Sequence, residues 1–372
     1  MLHNHAEAEL QENVAAGFTC LQHKDLTDAE LEALWHKLPG GAVSTPFQTL
    51  EFLEAFSRHM TKTVNAGHRL LEVRATGSDQ PLLLLPLIIR PRGFVRIASI
   101  PDLTLADQNA PIVARKADIQ PDQLDALWSA IVAQLDGIDI VDIFNIPAQV
   151  GGLENPLFSV AKAAVNDQFY LLDLKEVGDV DPRLKSRRKK LQKDMRSKWR
   201  RLEEQGCRLE CVEDTQERIR LCDTIFKHKQ KRFDEIGVQN VLSSSAVENF
   251  YRKVIENSRP EEPVVMHAIY HGDEVLGATM CLVANGLANC VLLSMGSEEW
   301  QALSPGMVAL TKTIEWARGA GYSFFSLGTG TQDYKKRFGF ETHDLKRILF
   351  PLTLKGQAHI KLSKLKSTFH RD

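Results

Sequence analysis

The sequence predicts an α/β (α+β) protein of two similar halves, each a mixed, mostly antiparallel sheet flanked by helices. Three observations carry this. At 372 residues the chain exceeds the size at which a single core keeps growing. Each half repeats one order of elements: helices, a three-stranded meander, a crossover helix, a strand and a last strand. Between them the composition shifts abruptly: Arg183 to Arg201 holds eleven Lys/Arg and one acid, Asp194, in nineteen residues.

The chain divides into an N-terminal extension with a helix (1–44), a first domain (45–178), a second domain (179–353) and a basic tail (354–372). After a mobile start, Thr27-Asp28 opens a helix that Pro39-Gly40-Gly41 closes. Phe47 to Met60 has the apolar spacing of a half-buried helix. Arg69 to Ala75, Pro81 to Arg90 and Phe94 to Ile100 read as strands; a loop through Asn109-Ala110-Pro111, a helix from Pro121 to Leu135 and strands at 139–145 and 168–174 follow. Asp181, Pro182 and Gly206 bracket a basic helix over 182–205, about 24 residues or roughly 36 Å. Its Leu184, Leu191, Met195, Trp199 and Leu202 form one apolar stripe, so the helix docks along one side and is cationic along the rest. A strand at 208–212 leads to helices at 215–235 and 246–257, the latter capped within Ser243-Ser244-Ser245. Strands at 263–270, 275–284 and 288–295 turn at His271-Gly272-Asp273 and Asn285-Gly286. A helix over 305–319, a strand over 322–327, a half-helix over 331–337, a strand over 343–352 and a basic surface helix within 355–370 complete the chain.

Composition narrows the function. With 46 basic and 48 acidic residues, the whole chain offers no electrostatic case for nucleic acid or membrane. The polar, acidic N-terminus is unlike a secretory signal, and the longest apolar run, Leu82 to Ile89, is interrupted by Pro86 and too short to span a bilayer. Six dispersed cysteines form no ligand cluster, which suits a reducing cytoplasm and excludes a zinc site. Cys207 and Cys211 share a strand face and read as core; His3 and His5 read as a frayed terminus.

The densest signal is Gly321 to Glu341, GYSFFSLGTGTQDYKKRFGFE, after the helix that Ser304 caps and Pro305 starts. Open sheets hold ligands beyond the carboxyl ends of such strands, and helix starts hold anions, so this is a place for a phosphorylated cofactor. YKKRFGFE (334–341) is similar to the Tyr-x-x-x-Gly-Phe-Glu end of the cofactor site in GNAT-class acyltransferases, with one residue more before the glycine. FQTLEFLEAF, the basic helix, LSPGMVALTKTIEWARGAGY and SLGTGTQDYKKRFG together resemble the CelD-type acetyltransferases associated with cellulose or exopolysaccharide production, which are in turn similar to tandem-domain Fem-type peptidyltransferases. The resemblance covers about residues 45 to 352 and implies tandem GNAT-like domains.

It also implies acetyl-CoA or another acyl-CoA as co-substrate and a small-molecule or glycan acceptor. The family's Gln/Arg-x-x-Gly-x-Gly/Ala cradle is altered here: Gln301 and Gly306 are five apart and Pro305 removes one donor. The amides of Gly306, Met307 and Val308 and the Ser304 hydroxyl then hold the pyrophosphate, with Lys335 and Arg337 as phosphate partners. Tyr334 is the candidate acid for the leaving thiolate, its pKa expected to fall beside Lys335, Lys336 and Arg337; Asp333 is the candidate base or amine anchor. Glu298 and Glu299 read as a solvated turn, and Trp300 and Trp316 as core. The cationic face makes tRNA or another polyanion the alternative partner, and with it a Fem-type transfer from aminoacyl-tRNA. A binding module that kept the fold and lost the chemistry is the third reading.

Overall fold

The structure is a computed structural model that describes residues 12–15, 17–175, 182–237, 244–260, 263–296, 298–330 and 333–369. The first half contains β1 (Glu12–Ala15), β2 (Phe18–Lys24), α1 (Asp28–His36), β3 (Ala42–Val43), α2 (Leu50–His59), β4 (Gly67–Ala75), β5 (Pro81–Arg92), β6 (Val95–Ser99), β7 (Ile112–Ala114), α3 (Leu124–Ala133), β8 (Ile140–Pro147), β9 (Gln149–Val150), β10 (Leu153–Glu154) and β11 (Ala163–Asp173). The second contains α4 (Pro182–Glu204), β12 (Arg208–Val212), α5 (Thr215–Ile236), α6 (Ser245–Glu256), β13 (Val264–His271), β14 (Glu274–Ala284), β15 (Leu287–Met295), α7 (Pro305–Gly319), β16 (Phe324–Thr329), α8 (Asp333–Arg337), β17 (Glu341–Pro351) and α9 (Leu354–Phe369). Helix starts follow their capping chemistry. Thr27 and Glu30 close a capping box on α1, and Thr49, Asp214 and Ser244 accept first-turn amides of α2, α5 and α6.

Among the described residues fifteen strands form one sheet, whose main path runs β1-β2-β4-β5-β6-β8-β17-β11-β16-β15-β14-β13-β12. From β2 onward this order is a palindrome of two six-strand sets, which is the duplicated, mostly antiparallel architecture that the sequence predicts. The sequence does not predict that the halves exchange their last strands. β11 lies beside β16 (Leu172↔Phe325), β17 lies beside β8 (Ile348↔Ile143), and the two pair at the centre (Phe169↔His343). Arg347 on β17 clamps Asp142 on β8 with two bonds, of 2.7 and 2.9 Å.

The expected mobile start is corrected from Phe18 on: β2 pairs β4 along its whole length, as β12 pairs β13 in the other half. Residues 18–22 are buried on both faces, so no alternation advertises the strand. β16 begins two residues later than expected, because the amides of Ser323 and Phe324 bond to the Gly286 carbonyl before the strand starts. Cys207 is buried, but Cys211 is exposed rather than core. His3, His5, Asp181, Ser243, residues 331–332 and the Glu298 and Leu184 side chains lie outside the described residues.

The halves share a core. Phe47, Phe52 and Phe56 around α2 pack with Phe250 and Tyr251 of α6, and the Phe52 and Phe250 rings meet edge-on at 5.0 Å. Beside them Arg259 of the second half pairs with Glu51 (2.9 Å) and Glu32 (3.0 Å) of the first. Helix α4 docks as its stripe predicts, with Met195 and Leu202 buried against Val308 and Ala309 of α7 and with Leu191 and Trp199 alongside. Arg187, Lys189, Lys190, Lys193, Arg196 and Arg200 face solvent. No helix among the described residues is long and apolar enough to cross a membrane.

His267, on β13, is buried with its ring 5.4 Å from that of Trp316 and its Nδ1 without a partner. Burial pushes its pKa down to about 4. A histidine held neutral in the fold takes up a proton on unfolding, so its contribution is present above pH 6.5 and is lost as pH falls toward 4. Denaturant titrations across that window should show wild type losing on the order of 3 kcal/mol more than His267→Phe; parallel curves would exclude the effect.

Candidate functional site

The second half opens its sheet at one place. β15 and β16 are parallel and bond only from Leu287↔Phe324 to Asn289↔Ser326. Immediately beyond, β15 carries one residue more than β14, Val291, between the pairs Cys281↔Cys290 and Met280↔Leu292. A bulge of this kind bends its strand and re-aims its backbone, and here β15 leaves β16 at the bulge. The result is a split with backbone edges on both sides.

The first half supplies the group that stands in this split. Asp107 accepts from the Thr329 amide and hydroxyl, both at 3.1 Å to Oδ1, and from Asn289 Nδ2 at 3.1 Å to Oδ2. Among the described residues Asn289 is the one hydrogen-bond partner of Oδ2, which can accept a second bond. Gly328 has φ +65, and a Cβ there would overlap the Asp107 carboxylate. Asp107 is carried by the loop between β6 and β7, in which Leu103 (φ 46) and Thr104 (φ 70) hold left-handed backbone that costs of order 1–3 kcal/mol each. The same loop fills the equivalent split of the first half, where β6 and β8 bond only at Ile97↔Ile140 and Ala98↔Val141. Asn109 bonds there to the Asn145 carbonyl through its amide (2.8 Å) and to the Phe144 carbonyl through its side chain (3.0 Å), and also to Asp102 (2.6 Å). Burial pushes Asp102 up to about 6, with the charge of Asp107 adding to the shift. One loop thus closes one split and arms the other.

Helix α8 forms the opposite wall, and it corrects two expectations. Lys335 is turned inward, 3% exposed, donating to the carbonyls of Thr329 and Gly330 with its ammonium 5.4 Å from the Tyr170 ring; it pins the glycine loop rather than meeting a surface phosphate. Tyr334 is half-buried, and burial raises its pKa, with Cys290 and Asp107 adding to the shift. The neighbouring cations do not lower it, because Lys336 and Arg337 point to solvent. Its hydroxyl has no partner among the described residues. Asp333 is exposed at the start of α8. Lys229, on α5, is half-buried without an acidic partner among the described residues, and burial lowers its pKa.

A cleft of about 390 Å³ lies at the start of α7, walled by Ser304 and Met307 and by His228, Lys231 and Arg232 of α5. Ser304 does not cap α7 with its side chain as expected. It has φ 50, and its hydroxyl accepts from Lys198 Nζ (3.0 Å) and donates to the Gln301 carbonyl (3.3 Å). Its carbonyl takes the amides of Met307 (2.9 Å) and Val308 (3.1 Å). Gly306 is wedged on β15, where a Cβ would stand 2.5 Å from the Ser294 carbonyl, and Val308 is buried in the core. The predicted cradle therefore reaches the cleft through Ser304 and Met307 only. Met307 and Tyr334 pack on the same hydrophobic cluster, which places the α7 start and α8 on one core. Glu299 is exposed and Trp300 is buried, as expected.

The sequence reading missed Asp107, Asn289 and Lys229. The stretch PDLTLADQNAP (101–111) crowds Asp102, Asp107, Gln108 and Asn109 between two prolines in an otherwise apolar domain, a visible signal whose partner 222 residues away is not.

The acetyltransferase (GNAT) domain family model matches residues 188–336, which run from α4 into α8. The chain thus carries a GNAT-type acetyltransferase domain in its second half. Over nearly its whole length it has the fold of FemX, at a TM-score of 0.60 and 10% identity, covering 92% of this chain and 99% of that one. A conserved protein of unknown function from Bacteroides thetaiotaomicron is similar at a TM-score of 0.52 and 11% identity, covering 89% and 99%. L-PGS from Bacillus licheniformis is similar at 0.50 and 12%, covering 87% and 91%. At these identities the likeness is one of fold. No curated protein matches the sequence.

Proposed function

We propose that this chain is an acyltransferase that moves an acyl group, acetyl being the simplest, from a coenzyme A thioester to an amine or hydroxyl at the split between β15 and β16. The observation that carries the reading is the bulged split itself, with the Asp107 carboxylate on one side and the Tyr334 phenol on the other. A backbone N–H turned into the split at the bulge would suit an acyl carbonyl whose oxygen gains charge. The bound thioester would supply the activated acyl group. Asp107, with its open lone pair, orients the acceptor and receives the proton released as the new bond to the acyl carbon forms. Tyr334, kept protonated by burial, donates to sulfur as the C–S bond breaks. Lys335 fixes the Gly328–Gly330 loop, and Asp333 and Arg337 stand at the solvent side of α8.

The α7 start would hold a pyrophosphate through side chains more than through amides: Lys231, Arg232 and His228 line the cleft with Ser304 and Met307, and a phosphate there would compete with Glu235, 3.8 Å from Lys231, and with Glu274. Acetyl-CoA at about a hundred times its Kd should therefore stabilise the protein by roughly 2.7 kcal/mol. Lys231→Ala with Arg232→Ala should weaken binding by about tenfold at low salt and by less at high salt. A melting curve unmoved by acetyl-CoA at millimolar concentration overturns the coenzyme A reading. The CelD-type resemblance extends the proposal to a glycan acceptor in polysaccharide production.

A second reading, transfer from aminoacyl-tRNA, is favoured by the exposed cations of α4 and by the fold of FemX. It predicts tRNA binding that falls steeply with salt, without stabilisation by acetyl-CoA.

A further inference from the structure

A cavity that the first half shares with the second lies away from the cleft at the α7 start. It measures about 530 Å³, within the range of small-molecule sites. The short hairpin β9–β10 forms one wall, the central strands β11 and β17 another, and the start of β16 a third. It reaches the split through two continuous pieces of chain: Gln108 follows Asp107, and Phe169 pairs with Thr329, which binds Asp107.

Its lining has a definite chemistry. Phe158, Phe169 and Phe324 make an apolar floor, and Phe324 is 36% exposed, unusual for so large an apolar side chain. Glu154 and Asp344 stand on its polar side. Each has one carboxylate oxygen bound by a glutamine amide, from Gln149 (3.2 Å) and Gln168 (2.8 Å), and neither is in an ion pair among the described residues. Among the described residues no lysine or arginine lines the cavity, although Lys346 Nζ lies 4.0 Å from the centre of the Phe158 ring and donates to the Phe158 carbonyl (2.9 Å). Gln108 is 2% exposed, and its Nε2 is a buried donor without a partner. A buried amide left unpaired costs about 1–3 kcal/mol, which a ligand oxygen would relieve.

From this juxtaposition we infer that the cavity is the acceptor site and that its ligand is a cationic amine carrying an apolar body and a hydrogen-bond-accepting oxygen. The floor takes the body, Glu154 and Asp344 hold the ammonium, and Gln108 donates to the oxygen. The inference rests on the acyltransferase reading for the word acceptor; the ammonium held by Glu154 and Asp344 anchors the ligand, and the attacking amine or hydroxyl is the separate group that reaches Asp107.

Phenylalanine methyl ester is a probe with all three features, and methyl 3-phenylpropanoate is its counterpart without the amine. Isothermal titration on the full chain, with no acyl donor present, should give at least about tenfold tighter binding of the amine, the worth of a charge-assisted hydrogen bond. Glu154→Gln with Asp344→Asn should erase that preference, and Gln108→Met should weaken both probes by about fivefold. Equal affinity for the two probes in wild type, or an amine preference that survives the double substitution, overturns the assignment. Because the titration contains no thioester, failure to bind acetyl-CoA would sink the coenzyme A reading alone, leaving a cationic-amine site, whereas acetyl turnover with equal probe binding would sink the site alone.

Discussion

Asp107→Asn should lower turnover with acetyl-CoA by about a hundredfold or more, the usual worth of a positioned proton acceptor, and leave the melting temperature almost unchanged. The geometry explains why the two readouts separate. An amide at position 107 keeps an oxygen for the Thr329 amide and hydroxyl. Its nitrogen meets Asn289, whose Oδ1 is buried and unpartnered, so a rotated Asn289 amide completes the pairing. What is lost is the charge and the open lone pair. Full turnover in Asp107→Asn would remove this residue from the chemistry. A loss that merely tracks the folded fraction would assign it a structural role.

Gly328→Ala should destabilise the protein by roughly 2 to 5 kcal/mol. Two costs combine. An alanine at φ +65 carries the left-handed penalty of about 1–2 kcal/mol. The new Cβ also overlaps Asp107 and forces it from three hydrogen bonds, leaving buried donors unpaired at about 1–3 kcal/mol. Since only the second cost needs Asp107, a double-mutant cycle with Asp107→Ala should recover it, leaving the backbone part alone. Chemical denaturation of the four proteins measures this, and strict additivity would show that the two residues are not coupled.

Local chemistry made much of the fold legible. Thr27 and Ser244 mark their helices by capping, the α4 stripe shows which side docks, and the meanders betray themselves by strand and turn patterns. What stayed hidden depends on partners rather than on pattern. β2 lacks alternation because both its faces are covered. β11 and β17 read correctly as strands, yet nothing in a strand's own residues says that it crosses to the other half. The site divided the same way. Tyr334 and the α7 start could be found from the sequence, but the direction of the tyrosine's pKa shift could not. Three adjacent cations suggest acidification, and the five-residue helix sends one of them inward and two into water. Asp107 was beyond reach because its meaning lies entirely in a contact with Thr329.

The exchange of β11 and β17 also sets the order in which the protein can be completed as it is synthesised. The edge of β8 is covered only by β17, and Asp142 waits for an arginine 205 residues further along the chain. Until β17 (Glu341–Pro351) has left the ribosome, the amino-terminal sheet keeps an open, hydrogen-bond-hungry border at which another nascent chain could dock. Truncation upstream of Glu341 would make that border permanent, so shortened forms should self-associate even when every residue of the amino-terminal half is present.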